Sequence, residues 1–75
     1  MTRAYLVELR QQKNVSQQEV ADAIGISRQY YSFIEAGTRQ QKMDITLIVR
    51  LARFFGVEWN SLAKREAAYF TEQSN

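Results

Sequence analysis

Residues 16–37, SQQEVADAIGISRQYYSFIEAG, read as two short helices joined by a tight turn. Ser16 offers its hydroxyl to a first-turn backbone N–H, and Glu19, three residues on, reaches back to the Ser16 N–H. This reciprocal pair is a capping box, and it sets where the helix begins. Val20 and Ile24 share one face, and Ala21 is small enough to let another helix come close. Gly25 ends the run because a helix C-terminus needs a left-handed backbone there. Ile26 plugs the turn, Ser27 caps a second helix, and the run from Arg28 to Ala36 stops at Gly37.

At about 100° per residue, Tyr31 and Ile34 fall on the packing side of the second helix, with Tyr30 and Glu35 near its edge. Arg28, Gln29, Ser32, Phe33 and Ala36 fall on the presented side. Arg28 and Gln29 lie in the first turn, and their forked groups match guanine O6/N7 and adenine N6/N7 in a DNA major groove. Ser32, one turn later, suits a base or a phosphate. On an arbitrary helix such residues are ordinary solvated ones. The frame of two short helices with defined ends shifts the reading toward a nucleic-acid reader.

The pattern LVELRQQKNVSQQEVADAIGISRQYYSFIEAGTR, followed after a loop by ITLIVRLARFFGV, resembles the Cro and phage-repressor family of helix-turn-helix proteins, often called XRE-type regulators. The resemblance covers most of the chain. It implies an all-α fold of five helices with the helix-turn-helix at helices 2 and 3, and double-stranded DNA as partner. By the same resemblance Arg28, Gln29, Ser32 and Phe33 take base-reading positions. Gln17 would touch a phosphate and brace the start of the recognition helix, and Arg10 and Glu35 take the places of a buried ion pair. Ser27, Tyr30, Arg39 and Lys42 are the further candidate phosphate contacts. The chain departs from the family at three places. Tyr31 stands where an aliphatic residue is usual, Phe33 stands where a polar reader is common, and the loop TRQQKM is longer than usual and lacks its proline. The Phe33 ring suits a thymine methyl, a sugar edge or a protein contact.

Seventy-five residues suffice for one domain with a small core, expected over 1–70, with 71–75 as a frayed tail. The chain has no Cys and no His, which removes disulfides, thiolate metal sites and the commonest metal ligand and general base. No metal, cofactor or enzymatic activity is expected. No apolar run is long enough to span a bilayer, so a cytoplasmic protein without membrane contact is expected. Formal net charge is only +2, but its distribution is uneven. Residues 28–53 carry Arg28, Arg39, Lys42, Arg50 and Arg53 against Glu35 and Asp44, while 1–27 balance and 54–75 are slightly acidic. The positive excess lies beside the expected reader, where it would attract phosphates.

The remaining segments read as scaffold. Leu6, Leu9 and Val15, with Tyr5, give the first helix an apolar stripe, and Arg3 and Glu8 are expected in water. Asp44 caps a fourth helix whose Ile45, Ile48, Val49, Ala52 and Phe55 recur at helical spacing before Gly56. A fifth helix is expected over 58–70, with Trp59 and Leu62 covering the core. Trp59, Tyr69 and Phe70 are candidate dimer contacts, Tyr69 and Phe70 having folding back onto the body as the alternative. The expected function is a transcriptional repressor acting as a homodimer on a palindromic operator. The alternatives are an antitoxin or a helical adaptor, either using the C-terminal helix as the surface for a protein partner.

Overall fold

The capping groups read from the sequence close the ends of the helices. In the structure, a computed structural model that describes residues 1–38 and 42–73, Ser16 Oγ accepts the Glu19 N–H at 3.1 Å while Glu19 Oε1 accepts the Ser16 N–H at 3.1 Å. Ser27 Oγ accepts the Tyr30 N–H at 3.0 Å, and Asp44 Oδ1 the Leu47 N–H at 2.8 Å. Gly25, Gly37 and Gly56 each sit in the left-handed region at a helix C-terminus. The described residues form α1 (Ala4–Lys13), α2 (Gln17–Ile24), α3 (Arg28–Ala36), α4 (Ile45–Phe55) and α5 (Trp59–Gln73), with no strand among them. Helix α2 packs on α3 and α4, α4 packs on α5, and α1 lies across α3 and α4. None of these helices is long and apolar enough to cross a membrane.

Val20, Ala21 and Ile24 of α2 and Tyr31 and Ile34 of α3 are buried together with Leu6 and Leu62. Four scaffold expectations are corrected. Helix α1 stops at Lys13, where Asn14 adopts φ 57° and its N–H closes onto the Arg10 and Gln11 carbonyls, so Val15 packs on the core from beyond the helix. Asparagine tolerates this conformation because its short polar side chain bonds locally. Helix α4 is rotated from the expected phase: Leu47, Ile48, Leu51 and Ala52 are buried, and Ile45 is 57% exposed. Thr46, Arg50 and Arg53 share one narrow exposed side, and the expected apolar set is centred off the direction opposite to it, toward Ile45 and Val49. Trp59 opens α5 and is 52% exposed instead of covering the core. Helix α5 runs to Gln73, past the expected end at Phe70, and Thr71 Oγ1 donates to the Ala67 carbonyl at 3.0 Å. Residues 74–75 of the expected tail lie outside the described residues.

Tyr31 occupies the position where an aliphatic side chain is usual, and its ring is fully buried. Its hydroxyl lies beside Glu35, makes no hydrogen bond of good geometry among the described residues, and has its pKa pushed up by burial first and by the Glu35 charge second. A buried hydroxyl without a well-aligned partner contributes little. Tyr31→Phe is therefore expected to change unfolding free energy by less than about 1 kcal/mol in a urea titration. A loss several times larger would mean that the hydroxyl is a full member of the Glu35 network.

Candidate nucleic-acid interface

Helix α3 is held at its C-terminal end and presented at its N-terminal end. Glu35, 4% exposed, receives the Arg10 guanidinium as a fork, Nε to Oε2 at 2.9 Å and Nη2 to Oε1 at 3.0 Å. Gln17 Nε2 adds a third bond to Glu35 Oε1 at 3.1 Å. Burial pushes the Glu35 carboxyl up, but the bonds from Arg10 and Gln17 outweigh it and leave the group below its ordinary range. Glu35 is thus ionised and neutralised internally, and its charge does not oppose an approaching polyanion. The contact also corrects one expectation: Gln17 braces the last turn of α3, through Glu35, instead of its start.

At the other end Ser27, Arg28 and Gln29 are exposed, Tyr30 is exposed at its edge, and Ser32 and Phe33 are half-buried. The Ser27 cap fixes the start of α3, so the first-turn side chains lie at the positive end of the helix dipole. A concavity of about 220 Å³ beside that turn is lined by Tyr30, Lys42, Thr46 and Arg50 among others. Two cations and a phenol therefore border the exposed turn, together with Asp44, whose carboxylate caps α4. Arg50 Nη1 also donates to the Ile24 carbonyl at 3.2 Å, closing the end of α2. Lys42 is exposed, and its ammonium lies 5.9 Å from the Phe70 ring centre. Arg39 lies outside the described residues. Among the described residues no cluster of His, Cys, Asp and Glu is able to hold a metal ion.

The helix-turn-helix family profile matches residues 6–62, which takes in α1 from Leu6 onward, α2 to α4 and the start of α5. The chain belongs to the XRE-type helix-turn-helix family. Over 59 residues it is 37% identical to the uncharacterized HTH-type transcriptional regulator YqaF of Bacillus subtilis strain 168, covering 79% of this chain and 75% of YqaF. Over 50 residues it is 36% identical to the cryptic phage CTXphi transcriptional repressor RstR of Vibrio cholerae, covering 67% of this chain. That match spans 43% of RstR, less than half of its length. No solved structure matches significantly.

Within this XRE-type chain the C-terminal aromatics do not stand where the expected dimer contact places them. Tyr69 is 6% exposed, and its hydroxyl donates to the Met1 carbonyl. Phe70 packs edge-on against Tyr69 with ring centres 5.2 Å apart. Both rings fold back onto the body, which removes Tyr69 from the free surface and leaves Trp59 as the large exposed ring on α5. The anchor for this fold-back is Arg3, which is 0% exposed and pairs with Glu66 at 2.8 Å. The expectation of a solvated Arg3 is thereby corrected. Nothing local signals the pairing, because its partners are 63 residues apart.

Proposed function

We propose that this XRE-type chain is a sequence-specific double-stranded DNA-binding regulator, a repressor that occupies its operator as a symmetric homodimer in the cytoplasm. The observation that carries the reading is the polarity of α3: Tyr31, Ile34 and Glu35 are buried while Arg28 and Gln29 stand exposed in its first turn. Arg28 and Gln29 specify bases, and Ser32 and Phe33 complete the reading surface. Ser27, Tyr30, Lys42, Arg39 and Gln17 contact phosphates and set register. The repressor activity of RstR supports the direction of regulation. Trp59 serves as the dimer contact, with two recognition helices about 34 Å apart on inverted half-sites.

Selection from a random duplex pool at near-physiological salt tests this. The expected result is enrichment of inverted repeats about one helical turn apart. Failure of folded protein to enrich any sequence would overturn the reading. On the selected operator, Arg28→Ala is expected to lose about 1–3 kcal/mol of discrimination at one base position. Lys42→Ala is expected to weaken binding to every duplex alike and to reduce the salt slope by about one. Titrations against single-base operator variants at several salt concentrations separate the two. Uniform losses for Arg28→Ala would remove it from base reading.

A further inference from the structure

We infer that Arg3 is a positioning residue for the DNA-reading helix, held in that role by Glu66 of α5. The inference rests on the DNA-reading role of α3 proposed above. The last carbonyls of an α-helix lack partners within the helix, and the C-terminal end carries the negative pole of its dipole. At the end of α3 the Gly37 N–H closes onto the Phe33 and Ile34 carbonyls, and Arg3 adds two further donors and a positive charge. The Arg3 backbone N–H donates to the Glu35 carbonyl at 2.8 Å, and Arg3 Nη1 donates to the Ile34 carbonyl at 2.6 Å. The rest of the guanidinium turns away from α3 toward α5, where Nε and Nη2 fork onto Glu66 Oε1 and Oε2 at 2.8 Å each. Burial works against the Arg3 charge, and the Glu66 bonds overcome it, so the pKa is raised and the group stays cationic.

Glu66 is itself buried and braced. The Tyr5 hydroxyl donates to its Oε1, and the Tyr69 ring lies 4.5 Å from the Arg3 guanidinium carbon. A chain of contacts thus runs from α5 through Glu66 and Arg3 to the backbone of α3. It complements the Arg10, Gln17 and Glu35 cluster, which grips the same turn through a side chain. Between them the two grips set the tilt and the rotation of α3. Arg28 lies six residues away, about 9 Å along the axis, so a tilt of ~6° about the gripped end displaces it by roughly 1 Å. Forked hydrogen bonds to a base edge do not survive a displacement of that size.

The test compares Arg3→Met/Glu66→Met with Glu66→Gln in the full chain. The double variant replaces a buried ion pair by apolar groups, which preserves folding while deleting the side-chain bond to Ile34. Glu66→Gln keeps Arg3 and one neutral acceptor, and serves if the double variant does not fold. Two readouts are taken. In the free protein, backbone amide chemical shifts are recorded across α3. Shift changes reaching Arg28 and Gln29 are expected, and changes confined to residues 34–37 would overturn the inference. With DNA, the ratio of affinities for the selected operator and a scrambled duplex is measured. A fall of at least tenfold in the ratio for the double variant, with an unchanged salt slope, is expected. A smaller fall is expected for Glu66→Gln, and Arg3→Lys should recover part of the ratio by reaching the Ile34 carbonyl. A wild-type ratio in a folded variant, or equal weakening on both duplexes, would overturn the inference. If the unsubstituted protein selects no duplex, the DNA-reading proposal fails on that result alone. The amide shifts still decide whether Arg3 couples α5 to α3.

Discussion

Arg10→Met is expected to lower the unfolding free energy by about 3 kcal/mol at pH 7, the low end for breaking a buried ion pair. The low end applies because the Arg10 side chain is 21% exposed and Gln17 still donates to Glu35 after the change. Most of the loss is the burden of a buried carboxylate without its cation, its side chain only 6% exposed, not the strength of the bridge itself. Arg10→Met/Glu35→Leu removes that burden and is expected to recover most of the stability. The pH dependence follows from the same geometry. In the wild type the Glu35 carboxyl is held below its ordinary value of 4.5, so the stability it contributes is complete above that value. That contribution is lost as pH falls through the lower folded value. In Arg10→Met the fork is gone, burial dominates, and the carboxyl titrates above its ordinary value. The variant is then destabilised most where Glu35 must ionise, and the gap to wild type narrows on acidification. Urea titrations at pH 7 and pH 3 measure both effects. A gap independent of pH would show that Arg10 acts through packing of its stem.

How far the sequence could be read follows the range of each interaction. The capping box at Ser16 and Glu19, the Ser27 and Asp44 caps and the glycine termini act within four residues, and all of them stand where the sequence put them. Helix faces were legible on α2 and α3; on α4 Thr46, Arg50 and Arg53 mark the outer side, but the apolar arc is wide and its expected centre lies too far toward Ile45 and Val49. The pairing of Arg10 with Glu35 spans 25 residues and was reached only through family resemblance. The pairing of Arg3 with Glu66 has no local signature and no counterpart in that resemblance. It is also what draws Tyr69 and Phe70 inward and so changes which surface of α5 is free. The interface followed the same rule: the exposed first turn of α3 was readable from its cap, but the Gln17 bond to Glu35 was not.

The largest single-residue loss is expected at Gly37, and its size is best judged against Gly56. Both glycines end helices in the left-handed region, at φ 72° and 71°, so an alanine at either suffers the same backbone penalty of about 1–2 kcal/mol. They differ in their surroundings. A Cβ at Gly56 would meet nothing within 4 Å, whereas at Gly37 it would collide with the Met1 carbonyl and the Tyr69 hydroxyl. Those two groups are bonded to each other, and the segment carrying Met1 is anchored two residues on by the Arg3 bonds to α3. An alanine at 37 must therefore break the contact between Tyr69 and Met1 and push the N-terminal segment off the end of α3. Overpacking of this kind adds about 1–3 kcal/mol to the conformational term. Gly56→Ala is thus expected to cost about 1–2 kcal/mol, and Gly37→Ala about 3 kcal/mol or more. Equilibrium unfolding of both variants under one set of conditions checks the difference. Equal losses at the two positions would mean that the N-terminal segment yields freely and does not clamp α3, because the backbone term common to both glycines would then account for the whole effect.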